Sequence, residues 1–99
     1  MRWVAIFVDR PDALDVRKAQ AEAHFAYLEA NRHQIRMAGG LRDAESDPPS
    51  GGLWILDNIS GRAEAERLCE DDPFYAAGLR QSYTLHAWGY APCFADVEI

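Results

Sequence analysis

The sequence predicts an α+β fold in which two helices cover one face of a four-stranded antiparallel sheet, and three observations carry that expectation. Strand-like and helix-like patterns alternate in the order β-α-β-β-α-β, the split βαβ arrangement. The first and third strands are apolar on both alternating faces. No internal repeat at the periods of solenoids or propellers competes with this reading.

The elements follow in chain order. Arg2 to Val8 is β-branched, aromatic and nearly all apolar, the pattern of a strand buried on both sides. Arg10-Pro11-Asp12 ends it, and Asp12 or Asp15 is the expected cap of a helix running to about Asn31 through Ala19-Gln20-Ala21-Glu22-Ala23. A 3.6-residue period centres its apolar face on Ala21, Phe25 and Leu28, with Arg17 and His24 on one flank. Gln34 to Leu41 reads as the second strand, poor in side chains at Gly39-Gly40, where a bulge or another group fits. Arg42 to Ser50, around Asp47-Pro48-Pro49, lacks apolar periodicity and is expected to be an exposed connection. The third strand is Gly52 to Ile59. Ser60 is the expected cap of a second helix from Arg62 to about Asp71, with Ala65, Leu68 and Cys69 facing inward. Tyr83 to Tyr90 alternates like a fourth strand, placing Thr84, His86, Trp88 and Tyr90 on one face.

Bulk properties bound the function. Ninety-nine residues with 48% hydrophobic content, three tryptophans included, build one domain over residues 1–99 with a real core. Ten basic against sixteen acidic residues leave a net charge of −6, which repels phosphate backbones and anionic lipid and argues against nucleic acid and membrane as partners. No apolar run approaches the roughly 20 residues that span a bilayer. Cys69 and Cys93 lie far apart, and the apolar run after Met1 is too short for a signal peptide, so a cytoplasmic protein with reduced thiols is expected.

The most distinctive grouping joins the second helix to the last strand: Asp71-Asp72-Pro73-Phe74-Tyr75-Ala76-Ala77-Gly78-Leu79. Two readings of it are open. Asp72 fits as an N-cap, with Pro73 at the first helical position and Gly78 as the stop. Asp72 also fits as the partner of His24, orienting and charging an imidazole for acid/base work. Spacing alone does not choose. Around such a pair, Phe74, Tyr75 and Ser82 are candidate pocket groups. His33 suits the end of the first helix, where a cation complements the dipole, and His86 suits strand packing. No spacing signals a metal site, a nucleophilic cysteine, a phosphate-cradling loop or a dinucleotide fingerprint. No cofactor and no metal are therefore expected.

Read together, His24-Phe25-Ala26-Tyr27-Leu28, Ala38-Gly39-Gly40, Asp71-Asp72-Pro73-Phe74 and Ala77-Gly78 resemble the YciI-like, or YCII-related domain, family over nearly the whole chain. The resemblance implies a small ferredoxin-like domain in a dimeric α+β barrel and a His-Asp active site, whose residues fall on His24 and Asp72. At least one member of that family acts as a dehydrochlorinase on chlorinated aromatics. An arginine close before the histidine in some relatives has no match here. Ala21 sits one turn before His24, and Arg17, two turns before, is the candidate for any such substrate-binding role.

The function expected on these grounds is cofactor-independent acid/base chemistry, elimination or isomerisation, on a small organic substrate. Its rival is a non-catalytic module that uses the same cleft to bind a small ligand or a partner. Two helices cover only one face of a sheet, so the apolar face left over predicts a homodimer in which two sheets meet face to face.

Overall fold

The computed structural model describes residues 1–99. The elements are β1 (Arg2–Asp9), α1 (Leu14–Ala30), β2 (Ile35–Leu41), β3 (Gly51–Leu56), α2 (Arg62–Glu70), the single turn α3 (Pro73–Ala76) and β4 (Arg80–Trp88), with a short 3-10 turn at Pro92–Phe94. The sheet order is β2-β3-β1-β4 and every pairing is antiparallel. β3 thus lies between β1 and β2, the ferredoxin-like α+β arrangement that the order of elements predicts.

Register sorts the side chains. Ala5 lies opposite Trp54 and Leu85, and Phe7 opposite Gly52 and Tyr83. These rows face the helices and form the core with Ile35, Leu56, Ala65, Leu68 and Cys69. The alternate rows pair Val4 with Ile55 and His86, and Ile6 with Leu53 and Thr84. On that second face no helix packs, and Val8, Met37, Leu41 and Trp88 are exposed large apolar groups.

Three local expectations are corrected. Neither Asp12 nor Asp15 caps α1: Asp12 occupies a left-handed turn at φ 56° one residue too early, Asp15 is already helical, and Ala13 holds the cap position without a side-chain bond. At α2 the cap position is Gly61 rather than Ser60, and Glu64 reaches back so that its Oε1 accepts the Ser60 N–H at 3.2 Å and the Gln34 amide at 2.8 Å. The inward stripe of α1 is rotated from the expected centre, so that His24 is its one buried residue while Phe25 is 64% exposed. The rotation follows from what α1 packs against: Arg17 and His24 meet Phe74 of α3, Tyr27 and Leu28 pack on the core, and the less exposed stripe runs Arg17, Ala21, His24, Leu28 with Val16, Gln20 and Tyr27 beside it. Polar groups with partners there outweigh the hydropathy of Phe25. Strand ends also shift: β3 stops at Leu56, and β4 starts at Arg80 rather than Tyr83.

Candidate active site

The site begins at the junction of α2 and α3. A residue before proline is driven to extended backbone, and Asp72 adopts φ −65°, ψ 134° with Pro73 at the first helical position. Its Oδ1 accepts the Phe74 N–H at 3.2 Å. The same oxygen lies 2.8 Å from Nδ1 of His24. The two open readings of Asp72 are therefore geometrically compatible: one carboxylate oxygen caps α3 and holds the imidazole. Gly78, at φ 81°, ends the segment in the left-handed conformation that glycine tolerates.

Asp72 is fully buried and His24 nearly so. An ionised carboxylate only accepts, so Nδ1 carries the hydrogen and Nε2 is left with the lone pair in the neutral ring. The ring is clamped from behind by Phe74, stacked at 3.8 Å between centroids and 10° between planes. Trp54 lies 6.3 Å away on the sheet side. The second Asp72 oxygen, Oδ2, is buried without a partner.

Beside this pair sits a group the sequence did not announce. Asp9, at the end of β1, accepts from Arg80 Nη1 at 2.6 Å through Oδ1 and from Arg17 Nη2 at 2.7 Å through Oδ2. Arg17 also donates to the Gly51 carbonyl at 3.1 Å. The Arg80 guanidinium lies 4.4 Å from the Phe7 ring centroid and 5.2 Å from that of Phe74, and Arg17 lies 5.1 Å from Phe74 on the helix side. Room for Arg80 comes from Gly52, where an added Cβ would stand 3.3 Å from Nη2. Burial pulls the Arg80 pKa below its ordinary value, and the Asp9 hydrogen bond and charge act against that.

An open cleft of about 200 Å³ joins these features. His24, Arg17 and Arg80 line it with Trp54, Phe25 and Leu28, and Gly39, Gly40, Arg42 and Pro49 also contribute to its lining. The bare Gly39-Gly40 stretch thus gives space to a cleft, and the 42–50 connection contributes two of its residues to the wall. Of the predicted site residues, His24, Asp72, Phe74 and Arg17 come together. Tyr75 and Ser82 do not: they line a second depression with Arg10, Gly78, Gln81 and Tyr83, which shares only Arg80 with the cleft. Tyr75 is turned out of α3, and Ser82 pairs with Val8 on the sheet's open face, so the strand alternation itself removes Ser82 from the cleft. No group of three or more His, Cys, Asp or Glu side chains gathers around a common centre.

The family model for the YCII-related domain matches residues 1–89. The chain belongs to the YCII-related domain family. Among solved structures, this YCII-domain chain is similar to the 5-chloro-2-hydroxyhydroquinone dehydrochlorinase TftG of Burkholderia phenoliruptrix AC1100, solved in complex with 2,5-dihydroxybenzoquinone. The two share 28% identity and a TM-score of 0.83 over 92% of this chain and 96% of that one. More distant likenesses show the fold alone. One is an antibiotic biosynthesis monooxygenase at 19% identity and TM-score 0.53, over 92% of this chain and 98% of the other. Another is SnoaB, a cofactor-independent oxygenase from Streptomyces nogalater, at 11% and 0.50, over 92% and 94%. No curated protein matches the chain. No helix is long and apolar enough to cross a membrane.

Proposed function

We propose that this YCII-domain protein is a small enzyme that removes a proton and expels a leaving group from a hydroxylated cyclic substrate, with His24 as general base and acid. The observation that carries the reading is the 2.8 Å contact of His24 Nδ1 with buried Asp72 on the wall of a cleft. Asp72 is a positioning residue: it fixes the tautomer and stabilises the imidazolium. In the step, a substrate O–H bond breaks and its proton passes by way of Nε2 to the ring carbon that bears the leaving group, so that a C=O forms and that carbon becomes tetrahedral. Loss of a second hydroxyl proton to Nε2 then sends an electron pair into a new π bond at that carbon, and the leaving group departs with its own pair. The similarity to a dehydrochlorinase supports chloride as that leaving group. Every step uses a proton, a lone pair and a leaving anion, so no cofactor or metal is invoked.

The open sheet face supports a homodimer. Val4, Ile6, Val8, Met37, Leu41, Leu53 and Trp88 form one side of a sheet with no helix over it, and a two-fold pairing of two such faces removes them from water. A cytoplasmic setting suits the two free thiols, one of which, Cys93, is exposed.

The test is chloride release from 5-chloro-2-hydroxyhydroquinone by the native protein and by His24→Gln, which keeps a donor for Asp72 and much of the ring's volume. Native turnover that falls about 10²- to 10⁴-fold in the variant, with folding and oligomeric state kept, is the expected result. Saturable binding of 2,5-dihydroxybenzoquinone with no turnover of chlorinated or hydroxylated substrates would leave the binding module as the function.

A further inference from the structure

The arginine cluster carries more than the acid/base reading uses. Arg80 is buried to 7% exposure, yet of its donors only Nη1 is engaged, by Asp9. Its Nε is buried without a partner, and no hydrogen bond within the chain occupies Nη2. Burying a guanidinium with donors unfilled is costly, and the fold accepts that cost on the wall of the cleft that His24 also lines.

We propose that Arg80, seconded by Arg17, forms an oxyanion subsite that binds the ring oxygen of a phenol or enol as its monoanion, and so makes Arg80 a substrate-binding residue. The charge count fits a single negative charge. From β1 comes Asp9; from α1, Arg17 and His24; from the residue before α3, Asp72; from β4, Arg80; from the connection after β2, Arg42, which is exposed, donates to the Asp47 carbonyl and is screened by water. Arg17, Arg80 and Asp9 together carry one positive charge, and Asp72 carries one negative charge that an imidazolium at His24 would balance. A neutral hydroxyl that enters and gives its proton to Nε2 leaves each half neutral: oxyanion against the arginines, imidazolium against Asp72. In that step the O–H bond breaks, the proton moves to His24 and the electron pair stays on oxygen. Size agrees, because a cavity of about 150 Å³ holds one benzene ring and this cleft measures about 200 Å³. Phe25, Leu28 and Trp54 supply apolar surface for the ring. Asp9 sets the count, since without it the pair would carry two charges and favour dianions.

The inference rests on the cleft being the site of the proposed chemistry, but its test does not need turnover. 4-Nitrophenol reports its own ionisation by visible absorbance. Bound to the native protein, its conversion to phenolate should shift down by about one pH unit, equivalent to roughly tenfold preference for the anion, as expected for one charge-assisted hydrogen bond. Arg80→Gln should abolish the shift, and Arg17→Gln, at a less buried side chain that leaves the Arg80 contact to Asp9 intact, should reduce it by at least half. Should Arg80→Gln fail to fold, Arg17→Gln decides. An unshifted or upward-shifted midpoint in the native protein, no binding of 4-nitrophenol at millimolar protein, or an unchanged shift in a folded variant overturns the subsite. A native shift that persists in His24→Gln while no substrate is turned over would keep the subsite and sink the enzymatic reading; turnover without any shift would do the reverse.

Discussion

Replacing Asp72 by Asn and by Ala separates its two jobs, because one oxygen, Oδ1, performs both. Asn caps helices about as well as Asp and offers an amide oxygen to the Phe74 N–H and to Nδ1, so the cap and the tautomer survive while the charge is lost. Burial favours losing the charge, but the amide nitrogen that replaces unpartnered Oδ2 brings two N–H donors into a buried place without an acceptor. The net cost of Asp72→Asn should be about 1 kcal/mol, the unpaired amide donors offset in part by the relief of burying a carboxylate. Asp72→Ala loses the cap, about 1 kcal/mol, and leaves the His24 N–H buried and unpaired, about 1–3 kcal/mol more. A sum of about 2–4 kcal/mol corresponds to roughly 10–25 °C in Tm for a domain of this size. Urea and thermal unfolding give the stabilities, and the chloride-release assay gives the activities. The Asn variant should be more stable than the Ala variant and at least tenfold slower than native, a deficit seen in kcat rather than KM because the imidazolium forms only in the reaction. Equal destabilisation in both variants would mean that the carboxylate charge is structural, held for Arg80. Full activity in the Asn variant would remove Asp72 from the mechanism.

Other consequences can be measured independently. Burial pushes the Cys69 thiol from 9.0 up to about 12 and the Tyr27 hydroxyl from 10.0 up to about 12. Acids whose folded pKa is raised favour folding fully below their unfolded values, so stability should hold to about pH 9 and fall progressively toward pH 12; a flat alkaline limb in urea titrations would contradict this. For the same reason an alkylating reagent at pH 8 should modify Cys93 and spare Cys69 in the folded protein, as peptide mass mapping would read. Gly51→Ala should be among the most destabilising single changes, because the new Cβ would stand 2.3 Å from the Phe7 carbonyl oxygen, and soluble yield with a native urea midpoint would refute it. Ile6→Glu, on the open sheet face and away from the cleft, should convert a dimer to a monomer in sedimentation at micromolar concentration; an unchanged sedimentation coefficient would place any dimer contact elsewhere.

Sheet and connectivity were legible because period-two alternation and the order of elements are local signals that tertiary packing seldom overturns. The helix starts were not. An N-cap depends on one residue's backbone angles, and Asp12 and Ser60 each have the right chemistry one residue away from the position that uses it. α1 shows the same limit on a larger scale. Hydropathy put Phe25 inward and His24 on the flank, but hydropathy assigns no energy to a partner 48 residues away. Once Asp72 accepts from Nδ1 and Phe74 stacks on the ring, turning His24 out would strand a buried carboxylate, whereas turning Phe25 out only exposes apolar surface beside a cleft.

Arg80 was invisible for a related reason. Two residues past Gly78, at the edge of a strand, an arginine reads as a surface charge, and only the bulge between Val8 and Asp9 in the pairing of β1 with β4 turns it to the helix face. Its place is then made by residues remote in sequence: Gly52 vacates the space, Phe7 and Phe74 supply ring faces, and Asp9 supplies the counter-charge. None of the four is distinctive alone. Gly39-Gly40 was readable as permission for a bulge or a close approach, but a glycine names a space and not its occupant. The cleft becomes chemical only when the sheet carries β4 next to β1 and α1 lays Arg17 and His24 across their ends. A basic nitrogen and a cationic pair then share one wall, separated by an aromatic ring that both touch. In the proposed reading, His24 takes the proton and the arginines hold the charge it leaves behind, which is what ionising a ring hydroxyl in a partly dry cleft requires.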